Sequence, residues 1–492
     1  MEMKLTTPTK IYLPSDAKEV VSFLTFTDKS VIFQLDRLKK NFHFKRNDPE
    51  AFLERVEELK QNQFKSLVFY DDQGLPWTYS GLAADLTKQF GWKLTDLTGR
   101  SKIDLESLPL LPWANIPHKM RYYQEEAVSA LLNSGGHAAV ELPTGSGKSR
   151  IILQLIKEIP EQTLIVTPFT NVTKQLCSTL EYYFGKKYVG QLGDGKKKTD
   201  KMITVANAQS AAKIERGSKE FKDLKTIKTI IFDESHMVPA ESFKGICLDG
   251  VGSEAPFRFF LSATQERNDG SGKVLTGVTG PICYSKQYKE LAEEKFLKKI
   301  NAKIFKVPTC KSSVIDAKKE TRSNLYENPH VARLAAMLAD KSWRAANRKV
   351  VILIEEYSQF LLLKNHMTIP YKFAHGTVSK DAKHALPEEY WKCDTDAIIE
   401  EFNNGILPCI IGTTAISTGV DIQPTGTVIY LQGGSSKTKV KQGVGRGTRP
   451  VGPEDLWVCD IKVVGSPILE RHANIRANIY QEMTDSPVQE IG

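Results

Sequence analysis

The sequence predicts an α/β protein with two parallel-sheet lobes in tandem and a small N-terminal α+β domain. Beyond residue 116, short apolar strands alternate with helical segments, which is the pattern of parallel sheets covered by helices. A lysine-rich, proline-containing passage at 295–322 divides this alternation and predicts a crossover. A chain of 492 residues is also too long for one core. We therefore expect domains at 1–115, 116–310 and 311–465, followed by a C-terminal helix and tail at 466–492.

The composition argues against several classes of protein. The net charge of +9 favours a polyanionic partner. The seven cysteines form no Cys-x-x-Cys pair and the nine histidines are scattered, so we expect neither a disulfide framework nor a zinc or histidine-based metal centre. No apolar run reaches the roughly 18 residues that span a bilayer, and the first residues lack a signal-peptide pattern. We expect a cytoplasmic protein without membrane contact.

The first 115 residues predict a mixed domain of short elements. The apolar runs at 20–24 and 30–33 are typical of strands. Asp48 and Pro49 predict the start of a helix, and Gly91 predicts the end of another. Basic residues stand beside aromatic residues at 39–46. Both a solvated basic loop and a nucleic-acid contact are consistent with that run.

A glycine-rich loop links an apolar run at 138–142 to a helix with apolar periodicity. Gly145 and Gly147 allow backbone N–H groups to point at an anion. In this pattern Lys148 reaches the outer phosphates and the Ser149 hydroxyl binds Mg²⁺. Leu142 stands where the full phosphate-loop pattern has a glycine. We predict a nucleotide-phosphate site, with a flexible Gly/Ser turn as the alternative.

Two acids, Asp233 and Glu234, follow the apolar strand predicted at 229–232. Ligands bind at the carboxyl ends of strands in parallel sheets. One carboxylate can complete the shell of Mg²⁺, and its neighbour can orient or deprotonate a water molecule. The alternative is an exposed Asp-Glu turn. Ser262 and Thr264 follow the strand at 257–261 in the same way.

The second series of strands leads to a segment that contains two arginines, Arg446 and Arg449. Residues three apart on a helical turn share a face. An arginine aimed at a γ-phosphate accelerates hydrolysis by roughly 10³–10⁵. Because these arginines belong to the other lobe, they would make hydrolysis depend on lobe closure. The alternative is a basic helix face with surface ion pairs.

In their order along the chain, these motifs resemble those of superfamily 2 DNA helicases of the DExH type, over about residues 120–460. This resemblance implies two RecA-like lobes with ATP bound between them. It rests on Arg121-x-Tyr123-Gln124, Pro143-Thr144-Gly145-Ser146-Gly147-Lys148-Ser149, Thr167-Pro168, Asp233-Glu234-Ser235-His236, Ser262-Ala263-Thr264, Ser417-Thr418-Gly419-Val420-Asp421 and Gln442-x-x-Gly445-Arg446-x-x-Arg449.

The resemblance assigns a role to each motif residue. The catalytic residues would be Lys148, Asp233, Glu234, Gln442, Arg446 and Arg449. ATP would be contacted by Arg121, Gln124, Pro143, Thr144, Gly145, Ser146, Gly147, Lys148, Ser149, Gly419 and Asp421, with Gln124 on the adenine. Mg²⁺ would be held by Ser149 and Asp233. Lobe movement would be coupled to ATP by His236, Ser262 and Thr264.

Nucleic-acid contacts in this family come from loops of both lobes. Here the resemblance points to Thr167, Pro168, Phe169, Thr170, Gln209, Ser210, His375, Gly376, Thr413 and Thr414. Salt-dependent attraction would come from lysines, for which the candidates are Lys186, Lys187, Lys196, Lys197, Lys198, Lys201, Lys437, Lys439 and Lys441. Small polar groups suit phosphate contacts that position a strand without discriminating its bases.

The segment Glu266-Arg267-Asn268-Asp269-Gly270 resembles the branch that includes UvsW, RecG-like remodelling enzymes and restriction-enzyme motors. Two N-terminal segments, Gly74-Leu75-Pro76-Trp77 and Lys88-Gln89-Phe90-Gly91-Trp92, resemble the amino-terminal module of the UvsW-type branch-migration helicases of tailed phages. This implies a monomer that remodels branched DNA with ATP and Mg²⁺, in the host cytoplasm if a phage encodes it. Other replication or recombination proteins are candidate partners. The alternatives are the motor subunit of a restriction system, an RNA helicase, and a nucleotide-gated DNA-binding protein with negligible hydrolysis.

Overall fold

The computed structural model describes residues 1–14, 18–98, 120–238, 240–248, 250–264, 272–312, 314, 316–376, 378, 386–413, 416 and 422–492. These residues form two compact units. The first consists of Met1–Glu141 and Lys148–Ser285, and the second of Leu142–Gly147 and Lys286–Gly492. Among the helices of the described residues, none is long and apolar enough to cross a bilayer.

The N-terminal part of the first unit is an α+β domain built on a five-stranded sheet. The strands are β1 (Glu2–Thr7), β2 (Lys10–Tyr12), β3 (Thr25–Thr27), β4 (Phe64–Ser66), β5 (Phe69–Tyr70), β6 (Pro76–Tyr79) and β7 (Lys93–Asp96). The helices are α1 (Lys18–Phe23), α2 (Lys29–Lys39), α3 (Phe42–Asn47), α4 (Pro49–Gln61) and α5 (Ala83–Phe90), with a 3₁₀ turn at Ser80–Leu82. The main sheet has the order β5-β6-β2-β1-β7, and β3 pairs with β4 alone.

The two N-terminal runs predicted as strands are largely helical. Residues 20–23 lie in α1, and residues 30–33 lie in α2. The Asp28 carboxylate starts α2 because its Oδ1 accepts the N–H of Ser30 at 2.9 Å. Val31 and Leu35, one helical turn apart, are the buried residues of that helix. The apolar residues therefore follow a helical period, and the prediction of strands here was wrong.

The remainder of the first unit is an eight-stranded sheet with helices. Its strands are β8 (His137–Glu141), β9 (Thr163–Thr167), β10 (Val189–Gly193), β11 (Lys196–Lys197), β12 (Ile203–Asn207), β13 (Thr229–Asp233), β14 (Phe257–Ser262) and β15 (Ile282–Ser285). Its helices are α6 (Tyr122–Leu132), α7 (Lys148–Glu158), α8 (Thr170–Phe184), α9 (Ala208–Ala212), α10 (Lys219–Leu224), α11 (Ala240–Cys247) and α12 (Gly272–Thr279). The order is β11-β10-β12-β9-β13-β14-β8-β15, and every pair except β10 with β11 is parallel.

The second unit contains a seven-stranded sheet in which every pair is parallel. Its strands are β16 (Lys299–Pro308), β17 (Val350–Leu353), β18 (Tyr371–Ala374), β19 (Cys409–Gly412), β20 (Thr427–Tyr430), β21 (Asp455–Val464) and β22 (Gln489–Ile491). Its helices are α13 (Tyr288–Glu293), α14 (Ala317–Thr321), α15 (Pro329–Arg344), α16 (Tyr357–Leu363), α17 (Thr395–Asn403), α18 (Lys437–Gly445) and α19 (Pro467–Met483). The order is β18-β19-β17-β20-β21-β16-β22.

The second unit begins earlier in the chain than the predicted boundary at 310. The lysine-rich passage contains β16, which pairs with β21 along its whole length. Its apolar residues Ile300, Ala302 and Ile304 are buried, whereas its three lysines are exposed. This alternation is that of a half-buried strand. The segment at 466–492 also belongs to the second unit, because β22 pairs with β16. The predicted boundary at 115 lies outside the described residues.

Candidate functional site

The phosphate loop follows strand β8 and leads into helix α7. Gly145 and Gly147 have φ angles of +88° and +87°, in the left-handed region that favours glycine. Helix α7 buries Ile151, Ile152 and Leu155, which fixes its first turn against the unit. Ser149 is exposed in that first turn. The loop therefore has the backbone form that presents N–H groups to an anion at a helix N-terminus.

Lys148 begins α7 and is buried together with acidic partners. Its Nζ lies 3.2 Å from Oε1 of Glu234. Asp233, the last residue of β13, is 8% exposed, and its Oδ1 accepts the N–H of Glu234 at 3.0 Å. Burial and the neighbouring charge of Glu234 raise the pKa of Asp233 to about 7. Glu234 adopts a left-handed φ of +49°, a strained conformation that is common at functional sites.

These residues fit a magnesium nucleotide. The Asp233 carboxyl is disfavoured as an anion at its buried position, and a divalent cation beside it would stabilise the ionised form. The buried Thr144 hydroxyl in the loop has no hydrogen-bond partner among the residues that the structure describes. Ser149 and Asp233 would hold the metal ion, and Lys148 and the loop N–H groups would hold the phosphates. The described part of the chain holds no group of three or more His, Cys, Asp or Glu side chains that could bind a metal ion by themselves.

The predicted coupling residues form one hydrogen-bonded group. The Ser262 hydroxyl donates to the carbonyl oxygen of Thr264 at 2.5 Å, and the N–H of Thr264 donates back to that hydroxyl at 3.1 Å. His236 Nδ1 lies 2.5 Å from the same hydroxyl oxygen and 3.6 Å from Oε2 of Glu234. Because the Ser262 hydroxyl donates its proton to the Thr264 carbonyl, the hydrogen bond between Ser262 and His236 requires the proton to be on Nδ1 of His236. The group thus connects Glu234 to the end of strand β14.

Arg121 and Gln124 lie at the start of α6. The Arg121 N–H donates to Oε1 of Gln124 at 3.0 Å, so the glutamine side chain caps the helix. Nη1 of Arg121 donates to the hydroxyl of Tyr123 at 2.9 Å. Gln124 is buried. The structure therefore shows an ordered helix start at the position for which the resemblance implies adenine contact.

The second unit holds the other part of the predicted site. Gln442 is a buried residue of α18, and Arg446 and Arg449 follow along the chain. The loop segment Leu142–Gly147 groups with this unit. Within the unit, the Thr448 hydroxyl donates to the Thr144 carbonyl at 3.4 Å. Gly419 and Asp421 lie outside the described residues, as does the segment at 266–270.

Glycine is required at Gly445 by its close approach to the phosphate loop. A Cβ atom on Gly445 would lie 2.6 Å from Cβ of Thr144. Gly445 was expected only as part of the arginine motif and was not predicted as a site residue. A glycine at the end of the predicted helix was the available signal, because such a glycine often has a capping or packing reason.

The predicted nucleic-acid loops of the first unit lie together. Nδ2 of Asn207 donates to the carbonyl of Pro168 at 3.3 Å, and its Oδ1 accepts the N–H of Gln209 at 3.0 Å. Asn207 was missed, although an asparagine between a strand and a helix is a capping signal. Thr167 is buried, with its hydroxyl 2.6 Å from that of Thr173, so its side chain is engaged internally. The remaining predicted residues are exposed or half-buried: Pro168, Phe169, Thr170, Gln209 and Ser210.

In the second unit the predicted nucleic-acid side chains are mostly buried. His375 is 3% exposed, and its ring centroid lies 4.8 Å from that of Phe373. Thr413 is also buried, and its N–H donates to the carbonyl of Ala374 at 3.2 Å. His375 is thus a packing residue in the structure. Gly376 is exposed, and Thr414 lies outside the described residues.

Several of the lysines predicted to attract nucleic acid are paired with carboxylates. Lys437 and Lys441 lie 3.2 Å and 3.0 Å from Oε2 of Glu482. Lys439 lies 2.8 Å from both carboxylate oxygens of Glu355. These lysines of α18 therefore hold protein elements together as well as carrying positive charge.

Two protein families match this chain. The family described as "Type III restriction enzyme, res subunit" matches residues 117–267. The "Helicase conserved C-terminal domain" matches residues 330–450. Together they cover more than half of the chain and fall on the two parallel sheets.

The chain is also similar to individual proteins. It is 28% identical over 437 residues to "DNA 3'-5' translocase XPB2" of Sulfurisphaera tokodaii, covering 80% of this chain and 94% of that one. A fragment of a putative HsdR subunit of a type I restriction enzyme from Vibrio vulnificus YJ016 aligns over 80% of this chain and 70% of that one, at 17% identity and a TM-score of 0.54. The crystal structure of T4 UvsW aligns over 100% of this chain and 99% of that one, at 18% identity and a TM-score of 0.42.

Proposed function

The chain is a superfamily 2 helicase, and we propose that it uses ATP hydrolysis to move on DNA and to remodel branched structures such as forks, junctions and displacement loops. The observation that carries the proposal is the group formed by Lys148, Asp233 and Glu234. Lys148, which directly follows the phosphate loop, lies with its Nζ 3.2 Å from Oε1 of Glu234. The neighbouring Asp233 carboxyl is buried at the end of β13. The motif order and this geometry support the same chemistry.

Each residue of the group has a distinct task in hydrolysis. The loop N–H groups and Lys148 bind the phosphates, and Ser149 and Asp233 hold Mg²⁺. Bound Mg²⁺ supplies positive charge that stabilises the leaving phosphate oxygens. Glu234 exchanges its ion pair with Lys148 for an attacking water, which it orients and from which it accepts a proton. Arg446 and Arg449 of the second unit stabilise the charge on the transferred phosphoryl group.

In this proposal, the hydrogen-bonded residues His236, Ser262 and Thr264 couple ATP hydrolysis to movement of the protein. His236 contacts both Glu234 and the Ser262 hydroxyl, so a change at the carboxylate alters the hydrogen bonds that hold Thr264. Gln442 and the two arginines make the same hydrolysis depend on the second unit. Alternation between ATP-bound and ATP-free states would then produce steps along the nucleic acid.

The assignment to DNA rests on the relatives and on charge. The archaeal relative is described as a DNA translocase, and this chain covers 94% of it. The net charge of +9 suits a polyanion. We further propose that the protein acts as a monomer in the cytoplasm, that of the host if a phage encodes it. Replication or recombination proteins are its candidate partners. The N-terminal domain is proposed as an accessory DNA-binding domain.

A restriction motor is the second candidate function. The match to the restriction-enzyme family over residues 117–267 favours it, and the HsdR fragment shares the fold. Such a motor would work in a stable complex with a methylase or nuclease. An RNA helicase is the third candidate and would be activated by RNA.

Activation of ATP hydrolysis by different nucleic acids tests the proposal. The rate is measured with single-stranded DNA, plain duplex, a fork, a four-way junction and RNA. We expect the fork and the junction to activate most strongly, and Lys148→Ala to abolish the activated rate. Equal rates in Lys148→Ala and parent would remove the enzymatic proposal. Strongest activation by RNA would overturn the DNA assignment, and equal activation by plain duplex would overturn branched-DNA remodelling.

A further inference from the structure

The segment from α2 to α3 carries a concentrated positive charge. Between Arg37 and Arg46 the sequence has five cations and no acid. Only Lys40 and Asn41 separate the two helices, so these cations occupy a short stretch of the domain. We name the following residues the basic-aromatic surface, and all of them are exposed: Arg37, Lys39, Lys40, Phe42, Lys45 and Arg46.

The cations of this surface differ from the other basic residues of α4 and β4. Arg55 pairs with Glu58, Lys60 with Glu57, and Lys65 with Asp28. By contrast, none of the five cations of the basic-aromatic surface lies within ion-pair distance of a carboxylate among the described residues. Unpaired charge of one sign raises the local potential and attracts a polyanion. The surface therefore has the electrostatic form of a phosphate-binding site.

An exposed aromatic ring stands among these charges. Phe42 is 76% exposed at the first position of α3. Two residues on, Phe44 turns inward and packs edge-to-face on Phe52 at a centroid distance of 5.9 Å. Oδ1 of Asn41 accepts the N–H of Phe44 at 3.1 Å and caps the helix, which fixes the orientation of this turn. Phe42 is thus held outward by an ordered helix start.

The surface rests on a core of its own. Helices α2 and α4 bury Val31, Leu35, Phe52, Val56 and Leu59 in a cluster separate from the core of the five-stranded sheet, and the half-buried Phe44 of α3 packs against it. A surface that is supported in this way can present its side chains without reorganising, which lowers the entropic cost of binding. Changes at the exposed positions should leave this core intact.

We infer that the basic-aromatic surface binds single-stranded nucleic acid, with the Phe42 ring stacked on a base and the surrounding cations on phosphates. Proteins that bind single strands combine a positive path for the backbone with exposed aromatic rings. A duplex would satisfy the cations but offers no free base face to Phe42. The surface lies outside residues 117–267 and 330–450, which the two family models match, and we expect its binding to need neither ATP nor the motor motifs. The inference deepens the proposed DNA-binding role of the N-terminal domain and rests on that proposal.

Binding of a short labelled oligothymidylate to the full-length protein, measured by fluorescence anisotropy without nucleotide, tests the inference. Phe42→Ala should weaken binding at least about 5-fold, which is the lower end for loss of one stacked base. The matched control is Phe64→Ala, which removes a ring that is 61% exposed on β4 of the same domain. It should bind as the parent does. Equal affinity of Phe42→Ala and parent, or an equal loss in Phe64→Ala, would overturn the inference.

The charge contribution is tested by salt dependence. Lys39→Gln combined with Lys40→Gln should reduce the slope of log affinity against log salt by about 1.4, or about 0.7 for each phosphate contact with a single strand. The control pair, Arg55→Gln with Lys60→Gln, removes cations that are already paired with glutamates. It should leave the slope unchanged. An unchanged slope in the lysine pair would contradict phosphate contact.

Three further arms identify the ligand and separate this inference from the proposed function. If Phe42→Ala loses as much affinity for oligouridylate as for oligothymidylate, then DNA and RNA share the surface. A loss of affinity for only one of them would identify which nucleic acid the surface binds. If Phe42→Ala loses as much affinity for blunt duplex as for single strands, the stacking of Phe42 on a base would be overturned. Lys148→Ala should lose ATP hydrolysis and keep oligonucleotide affinity, whereas Phe42→Ala should keep the basal hydrolysis rate.

Discussion

Single residues at the candidate site are held in conformations that most side chains avoid. Glu234 has a positive φ, and it simultaneously pairs with Lys148 and approaches His236. Such strain persists only where surrounding contacts enforce it. Here the buried strand β13 and the Lys148 ion pair supply those contacts. These contacts hold in place the carboxylate that we propose as the proton acceptor for the attacking water.

Gly445 provides a direct test of close packing at the phosphate loop. Gly445→Ala would place Cβ 2.6 Å from Cβ of Thr144, so one of the two segments must shift. A displacement of this size at a phosphate site should lower kcat for ATP by roughly 10- to 100-fold. Steady-state ATP hydrolysis measures the effect. Gly272→Ala is the control, because no atom of the described residues lies within 4 Å of its added Cβ and its φ is not in the left-handed region. Equal rates in the two variants would show that the contact is unimportant.

Asp28 gives a pH dependence in the acid range. Burial opposes ionisation, but hydrogen bonds from Lys65 and Ser30 outweigh it and lower the pKa of Asp28 from 3.8 to about 2. Because the pKa is lower in the folded state, this carboxylate stabilises the fold above its ordinary pKa and loses that effect as the pH falls through about 2. Asp28→Asn should remove at most about 2.5 kcal/mol near neutral pH and almost nothing near pH 2.

Hydrogen exchange of the α2 amides measures this effect, because Asp28 caps that helix. The difference between parent and Asp28→Asn should shrink between about pH 4 and pH 2. Asparagine is itself a good helix cap, so the variant should keep α2. A difference that stays constant across this range would show that the charge of Asp28 does not stabilise the domain.

Among the elements, those with a clear period or cap were predictable from the sequence. Asp48 and Pro49 begin α4 as expected, and Gly91 ends α5 with a φ of +66°. The strand β13 with its two terminal acids was also predicted. Strand β16 was not predicted, because its lysines made the segment resemble a charged crossover and obscured the alternation of Ile300, Ala302 and Ile304. Its partner β21 is far away in sequence, and pairing over that distance leaves no local signal.

The C-terminal helix α19 is an integral element of the second unit. Arg476 donates to both carboxylate oxygens of Asp460 on β21, at 2.7 Å and 2.9 Å, and the Tyr480 hydroxyl donates to the same carboxylate at 2.7 Å. Nη1 of Arg476 also donates to the carbonyl of Gly434, at 2.8 Å. Gly434 lies in the loop before α18. The buried arginine therefore joins α19, β21 and the approach to the arginine motif.

Replacement of the buried Arg476 should strongly destabilise the second unit. Arg476→Met leaves the Asp460 carboxylate buried and unpaired, which typically costs roughly 3–5 kcal/mol. Glu482→Gln breaks partly exposed ion pairs with Lys437 and Lys441, and should cost no more than about 1 kcal/mol. Hydrogen exchange of the β21 amides reports the free energy of opening in both variants. Equal losses would contradict the account of Arg476 as the main attachment of α19.

At the scale of the whole molecule, the order of the motifs along the chain predicted more of the fold and of the candidate site than any single local pattern did. The two parallel sheets, the phosphate loop and the acids at the end of β13 all follow from alternation and spacing. The nucleic-acid residues could not be predicted as well. His375 and Thr413 are polar residues that pack internally, and burial depends on contacts between distant segments. The pairing of Lys437, Lys439 and Lys441 with glutamates likewise depends on tertiary placement.

In the proposed mechanism, Lys148, Asp233 and Glu234 bind an ATP whose hydrolysis is completed by arginines of the second unit. DNA-stimulated ATP hydrolysis by Arg446→Ala, measured alongside ATP binding, tests it most directly. Arg344→Ala is the control, because Arg344 lies on α15 of the same unit and is paired with Asp340. We predict that Arg446→Ala binds ATP as the parent does and hydrolyses it roughly 10³-fold more slowly, while Arg344→Ala hydrolyses it at nearly the parent rate. Undiminished hydrolysis by Arg446→Ala would contradict the account.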